Sequence, residues 1–140
     1  MLVNTDVTVW NKYMNTVTKM DEYKRTEIKG VMLIASKGAN IMKSGMSTAD
    51  SVKISIPKGA NTGSKTYKAP KDWQKTPNVD MGNFWTLQAG DKIAKGLINY
   101  EIVSPNTIAL LEKTYDEVYT ITTPDAYLFG SNPHWEVGGL

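Results

Sequence analysis

The side chains that could perform acid–base or nucleophilic chemistry are few and scattered. His134 is the only histidine and the chain has no cysteine, which excludes thiolate catalysis, disulfides and Cys-ligated zinc. A Ser-His-Asp triad would depend on His134 alone, and its neighbours Pro133 and Trp135 indicate the start of a strand at a rim. The carboxylates lack the close spacing of a calcium loop or of a paired glycosidase site. We therefore predict that the protein is not an enzyme and uses no cofactor or metal.

Residues suited to binding are concentrated between Lys53 and Lys75. This stretch has six lysines against one acid, Asp72, a local excess of +5, whereas the whole chain has a net charge of +2. Two aromatic residues lie among these lysines, a pairing typical of grooves that bind single-stranded nucleic acid. A loop that docks on a protein and a solvated loop without a partner are the other interpretations. The candidate residues for contact with a partner or DNA are Lys58, Lys65, Tyr67, Lys68, Lys71, Trp73 and Lys75.

Tryptophan is enriched at interaction hot spots, so the four tryptophans are candidates for interface anchors. Trp85 and Trp135 lie in strand-like contexts that favour a place in the core. Trp10 lies on the face of the first predicted strand opposite to Val9. We therefore take Trp10 as the candidate interface aromatic.

Alternation of apolar and polar residues predicts a mainly β chain with one short helix. The helix is expected within residues 104–113, with Ser104 as its N-cap and Pro105 in its first turn. Glycines and prolines make residues 58–83 a long basic loop, of a length usually found in functional or disordered segments. The predicted strands are 7–13, 23–36 with a bend near Gly30, 51–57, a hairpin of 84–87 and 92–98, and a closing pair of 118–122 and 134–137; a turn is expected at 37–40.

Length and composition predict one domain over residues 1–140. Hydrophobic residues make up 41% and charged residues 21% of the 140, as in ordinary globular domains. No apolar run approaches the roughly 20 residues that span a bilayer, and the first residues lack the features of a signal peptide. We expect a cytoplasmic product with no membrane partner, folded as a small, partly closed β-barrel. The short helix would be a lid on one opening of the barrel, and a β-sandwich is the alternative.

Several segments together resemble a known family. The chain is similar to small morphogenesis proteins from prophages and tailed phages of Gram-positive bacteria, which in turn resemble head-closure (stopper) and head–tail joining proteins. The resemblance covers most of the chain and contains no catalytic motif. The segments that carry it are 7–13, 23–26, 51–57, the stretch from Trp85 to Gly96, and the stretch from Phe129 to Val137.

What the resemblance implies is a structural protein of the virion, assembled in the host cytoplasm. It implies a small β-barrel with a long loop that joins an oligomeric ring beneath the portal and adaptor, retains packaged DNA and presents a surface to the tail. The expected partners are other copies of the chain, the portal or adaptor ring, the tail terminator, and packaged DNA. Tail completion or a minor capsid role is an alternative, as is a nucleic-acid-binding module that resembles an OB-fold.

Overall fold

A computed structural model of the chain describes residues 2–35, 41–42, 45–46 and 52–140. Within these residues the structure is mainly β, as the sequence predicts. The strands are β1 (Thr5–Met14), β2 (Asp21–Ala35), β3 (Ile41–Met42), β4 (Gly45–Met46), β5 (Val52–Pro57), β6 (Thr66–Tyr67), β7 (Phe84–Trp85), β8 (Lys92–Lys95), β9 (Val118–Tyr127) and β10 (His134–Gly139). The helices are α1 (Pro70–Gln74), a 3₁₀ helix (Asn78–Asn83) and α2 (Ile108–Thr114).

Six strands form a closed barrel in the order β1-β2-β5-β10-β9-β8. Every neighbouring pair is antiparallel, including the pair of β8 with β1 that completes the circle. The barrel is thus fully closed rather than partly closed, and it is not a sandwich. Closure leaves these six strands without a free edge, which removes the usual route to uncontrolled strand pairing.

The barrel interior is filled by the inward residues of each strand and by three aromatic rings. Trp135 of β10 packs against Tyr67 and Trp85, with ring centroids 4.7 Å and 5.1 Å away. These rings fill the interior near the end where β5 finishes and β10 begins. A fully buried apolar side chain contributes roughly 1.5 to 3 kcal/mol, so this core is the main source of stability. Its aliphatic members include Val7, Val9, Ile28, Val31, Ile54, Ile56, Ile93, Ile121 and Val137.

The predicted bend in the second strand is present. Gly30 has a φ of 85°, a left-handed conformation that favours glycine. Its backbone N–H donates to the Asp6 carboxylate, with an N–O distance of 2.9 Å. The pairing of β1 with β2 shifts register between Thr5 and Val7 at the same place, so the bend accompanies a bulge in the barrel wall.

The predicted hairpin of residues 84–87 and 92–98 is wrong. β7 pairs in parallel with β6, whereas β8 pairs with β1 and β9. Between them, the Asp91 side chain turns inward and accepts hydrogen bonds from Asn11 and Gln88. These bonds hold the connection against β1, so the chain does not double back on β7. The turn predicted at 37–40 lies outside the described residues, as do the outer ends of two predicted strands, Ser36 and Ser51.

The prediction of an irregular loop at 58–83 is also wrong. Residues 58–91, here called the capping segment, contain β6, α1, the 3₁₀ helix and β7 and fold onto one end of the barrel. Trp73 of α1 is fully buried beside Tyr13 and Met81. Its indole N–H donates to the Lys12 carbonyl oxygen at 3.0 Å. Scattered aromatics and turn residues thus formed a packed cap with short helices.

The helix predicted from Ser104 begins later and lies elsewhere. α2 starts at Ile108 and its N-cap is Thr107, whose hydroxyl accepts from the Leu110 N–H at 3.1 Å. The helix is not a lid on an opening. Leu111 instead packs with Trp10 and Ala94 against the outer face of the wall, which is the face that alternates with the inward Val9 and Ile93. Within the described residues, no helix has the length and apolar content that crossing a membrane requires.

Candidate docking surfaces

The aromatic residues predicted to contact a partner face the interior of the protein. Trp10 is fully buried, and its indole N–H donates to the Tyr100 carbonyl oxygen at 2.8 Å. Trp73 is equally inaccessible, and Tyr67 is partly buried against Trp85 and Trp135. In this structure Trp10 and Trp73 are therefore core residues, which corrects their expected place on a surface.

Two of the predicted contact lysines are used within the chain. The Lys65 amine donates to the Arg25 carbonyl oxygen at 2.6 Å and to the Thr26 hydroxyl at 2.9 Å. Burial lowers the pKa of Lys65, and Lys24 and Arg25 lower it further. Lys65 therefore ties the capping segment to β2 rather than extending into solvent.

Lys68 is held in a similar way inside the capping segment. Its amine donates to the Thr76 hydroxyl at 3.0 Å and lies 3.9 Å from the centroid of the Phe84 ring, within the range of a cation–π contact. The remaining predicted lysines, Lys58, Lys71 and Lys75, are exposed. Of the seven predicted residues, these three are the exposed ones.

A buried polar network that the sequence did not predict fastens the capping segment to β1. The Asp91 carboxylate accepts from Asn11 Nδ2 at 3.0 Å, from Gln88 Nε2 at 2.8 Å and from the Lys12 backbone N–H at 3.2 Å. Asn11 also exchanges two hydrogen bonds with the backbone of Thr86. Burial raises the pKa of Asp91, and the hydrogen bonds from Asn11, Gln88 and Lys12 oppose that rise. The network is internal and joins the capping segment to β1.

A concave surface lies beside the β1–β2 turn. This groove, with a volume of about 820 Å³, lies between residues 13–24 and residues 101–109. The apolar side chains that line the groove include Met20 and Val103, which are 67% and 59% exposed. Its charged members are Asp21, Glu22, Lys24 and Glu101, so acids outnumber bases. Glu101 is paired with Arg25 at 2.7 Å, so the groove is an apolar surface with a small excess of negative charge.

A protruding aromatic residue marks the turn between β9 and β10. This turn with its flanking residues, Tyr127–His134, is here called the β9–β10 tip. Phe129 is 83% exposed, and Gly130 beside it has a φ of 86°, as tight turns require. Tyr127 stacks on His134 with ring centroids 5.5 Å apart. The tip is thus a turn with an ordered aromatic base and an apolar projection.

The groove and the β9–β10 tip lie on opposite walls of the barrel. In the circular order β1-β2-β5-β10-β9-β8, the β1–β2 pair and the β10–β9 pair are diametrically opposed. Because all neighbours are antiparallel, the turns after Met14 and after Tyr127 lie at the same end. One concave and one convex apolar surface therefore lie on opposite walls, toward the same end of the barrel.

His134 has a structural setting. Its Nδ1 atom lies 2.8 Å from the Asn132 carbonyl oxygen, across the β9–β10 turn, and its ring packs on Tyr127. Across the portion of the chain that the structure describes, no three His, Asp or Glu side chains are placed to hold a metal ion.

The sequence has apolar residues at two turns, and the patterns considered in the sequence analysis do not single them out. Val17 and Met20 lie in the connection between β1 and β2, and Phe129 lies in the connection between β9 and β10, before Gly130. Turns are normally polar, and these three apolar side chains stay 67% to 83% exposed. Single exposed apolar residues are common on protein surfaces, whereas exposed apolar residues that form a patch mark a candidate partner surface.

Comparison with known proteins gives one family. The family described as "Family of unknown function (DUF6751)" matches residues 2–140. Neither the curated proteins nor the solved structures include a match to the chain.

Proposed function

Because this chain belongs to the family of unknown function DUF6751, whose description names no activity, we propose a function from the geometry and from the sequence resemblance. The protein is a structural subunit of an oligomeric ring, and the ring closes the head at the head–tail junction of a tailed phage. The protein acts by occupying a position in the virion rather than by catalysis.

The observation that carries the proposal is the pair of apolar surfaces on opposite walls. A subunit in a ring must present two different surfaces, one to each neighbour. The groove and the β9–β10 tip satisfy this requirement on a closed barrel whose strands offer no edge for β-pairing. The closed barrel is also the type of fold that the sequence resemblance implied for a head-closure protein, which further supports the proposal.

The exposed lysines form a third surface that is suited to binding. Lys71 and Lys75 lie one helical turn apart at α1, and Lys58 follows β5. These charges lie on or beside the capping segment and are suited to the acidic face of a neighbouring ring or to the phosphates of packaged DNA.

The nucleic-acid-binding alternative has weaker support. A groove that stacks bases needs exposed rings, but Trp73 is fully buried and Tyr67 packs against Trp85 and Trp135. A steep loss of DNA affinity between low and moderate salt would favour this alternative, and a weak salt response would favour protein docking.

The test of the proposal is electron microscopy of particles made after the gene is disrupted in its native phage or prophage. Heads without DNA and without tails, beside separate normal tails, are expected. Filled, stable heads with absent or abnormal tails would move the protein to tail completion. Complete, normal virions would contradict a structural role in the virion.

A further inference from the structure

We infer that the β9–β10 tip of one copy docks in the groove of the next copy, with Phe129 as the anchor. This inference rests on the proposed ring and names the contact that would build it. The partner at the groove is a second copy of this chain, bound head to tail.

The positions of the two surfaces suit a head-to-tail contact. A contact between two copies is heterologous when it joins different surfaces, and heterologous contacts form a ring when the rotation between copies closes. The groove and the tip lie on opposite walls and at the same end of the barrel. A copy seated in the groove therefore presents its own groove on the far side, ready for the next copy.

The tip and the groove also match in shape and polarity. Phe129 projects from a turn, 83% exposed, beside Tyr127, which is 44% exposed. The groove has a volume of about 820 Å³, enough for an aromatic side chain and its flanking residues. Large aromatic anchors seated in partner pockets are the usual centre of a protein interface. Burial in the groove would remove both apolar surfaces from water.

Charge favours the same contact. The groove contains three acids, Asp21, Glu22 and Glu101, and one base, Lys24. Glu101 forms an ion pair with Arg25, with an N–O distance of 2.7 Å, so the excess of negative charge comes from Asp21 and Glu22. The tip contains no acid over Tyr127–His134, and the Lys58 backbone N–H donates to the Pro133 carbonyl oxygen at 3.0 Å, which places this exposed lysine beside the tip. Asp125 and Glu136 lie beside Tyr127 at the base of the tip, so Lys58 is the charge near the tip that Asp21 and Glu22 would attract, and such complementarity steers association.

Disulfide trapping tests the contact, because the chain has no cysteine of its own. One variant carries Ser131→Cys in the tip, and three others carry Thr18→Cys, Asn106→Cys or Ala109→Cys around the groove. Mixing the tip variant with a groove variant under mild oxidation should give a covalent heterodimer. Neither variant alone should cross-link, and a double variant should give a ladder of multimers. Val3→Cys, at the other end of the barrel, replaces the groove cysteine in the control.

The result that overturns the inference is equally clear. Cross-linking no greater than with Val3→Cys for all three groove positions would exclude the contact. Cross-linking of Ser131→Cys with itself alone would indicate a two-fold contact between tips instead. Gene disruption distinguishes failure of this contact from failure of the proposed function. If the disrupted phage gives empty, tailless heads and no cysteine pair cross-links, the proposed ring stands and its contact lies elsewhere.

Phe129→Asp provides a second measurement by sedimentation. A truncated hot-spot residue typically weakens association about 30-fold, and we expect at least that effect from a charge placed in the groove. Phe129→Tyr should retain association, and Ile34→Asp is the matched control, since Ile34 is 59% exposed on β2 away from both surfaces. Equal association of Phe129→Asp and Ile34→Asp would contradict the inference.

Discussion

The capping segment and the β9–β10 tip both present aromatic residues near turns, yet they use them in opposite ways. Trp73 of the capping segment is fully buried and donates a hydrogen bond to the Lys12 carbonyl oxygen. Phe129 of the tip is 83% exposed. Aromatic residues and lysines that lie close together in a sequence therefore do not by themselves indicate a binding surface. What matters is whether the chain itself supplies their partners.

The internal partners of the capping segment account for this difference. Lys65 binds the backbone of β2, Lys68 lies on Phe84, and Asp91 gathers three donors from β1 and Gln88. At the β1–β2 turn and at the tip, by contrast, Val17, Met20 and Phe129 are 67% to 83% exposed; in the capping segment, Val79 is also exposed. Substitutions in the two regions should therefore separate effects on stability from effects on association.

The largest expected difference in stability is between truncation of Trp73 and truncation of Phe129. Trp73→Ala should destabilise the fold by about 3 to 5 kcal/mol, because it leaves a cavity against Tyr13 and Met81. Phe129→Ala should change stability by less than about 0.5 kcal/mol. Urea unfolding measures both. Comparable losses for the two variants would contradict the division between capping segment and tip.

The next effect comes from the buried carboxylate. Asp91→Asn should cost about 1 to 3 kcal/mol at neutral pH, because an amide cannot accept from Asn11, Gln88 and the Lys12 N–H together. Urea unfolding of the wild type and the variant is the measurement. An unchanged midpoint would show that the network does not hold the capping segment to β1.

The same pair of proteins tests a pH dependence. Burial raises the pKa of Asp91 in the folded protein above its ordinary value of 3.8. At pH values between the ordinary pKa and the raised pKa, the folded state binds more protons than the unfolded state. The contribution of Asp91 to stability should therefore fall as pH rises through this window. The wild type should lose stability relative to Asp91→Asn over this rise, and parallel curves for the two proteins would contradict the assignment.

A smaller effect should distinguish two lysines of the capping segment. Lys65→Met keeps the apolar stem but leaves the Arg25 carbonyl oxygen and the Thr26 hydroxyl without their donor, at a cost of about 1 kcal/mol. Lys71→Met is the matched control on an exposed helix position, and it should change stability by less than about 0.5 kcal/mol. Thermal unfolding of the two variants gives the comparison. A larger loss for Lys71→Met would reverse the assignment.

Much of the barrel could be predicted because its strands follow local rules. Alternation places Val52, Ile54 and Ile56 inward, as the structure has them, and the bend at Gly30 follows from a glycine within a long strand. These features depend on side-chain period and backbone freedom, which a short window of sequence contains.

The errors concern residues whose partners are distant in the chain. Asp91 contacts Asn11 across a separation of 80 residues, and Trp73 contacts Lys12 across 61. No local pattern reports such pairs, so local patterns predict a loop at residues 58–83 and a hairpin of residues 84–87 and 92–98. The groove was missed for the same reason, since it unites residues 13–24 with residues 101–109.

The most direct test of the central claim is complementation of the disrupted gene, followed by electron microscopy of the particles. Phe129→Asp should fail to restore joined, DNA-filled virions although the variant folds, whereas Ile34→Asp should restore them. Full restoration by Phe129→Asp would contradict the claim that the β9–β10 tip joins neighbouring copies in a ring at the head–tail junction.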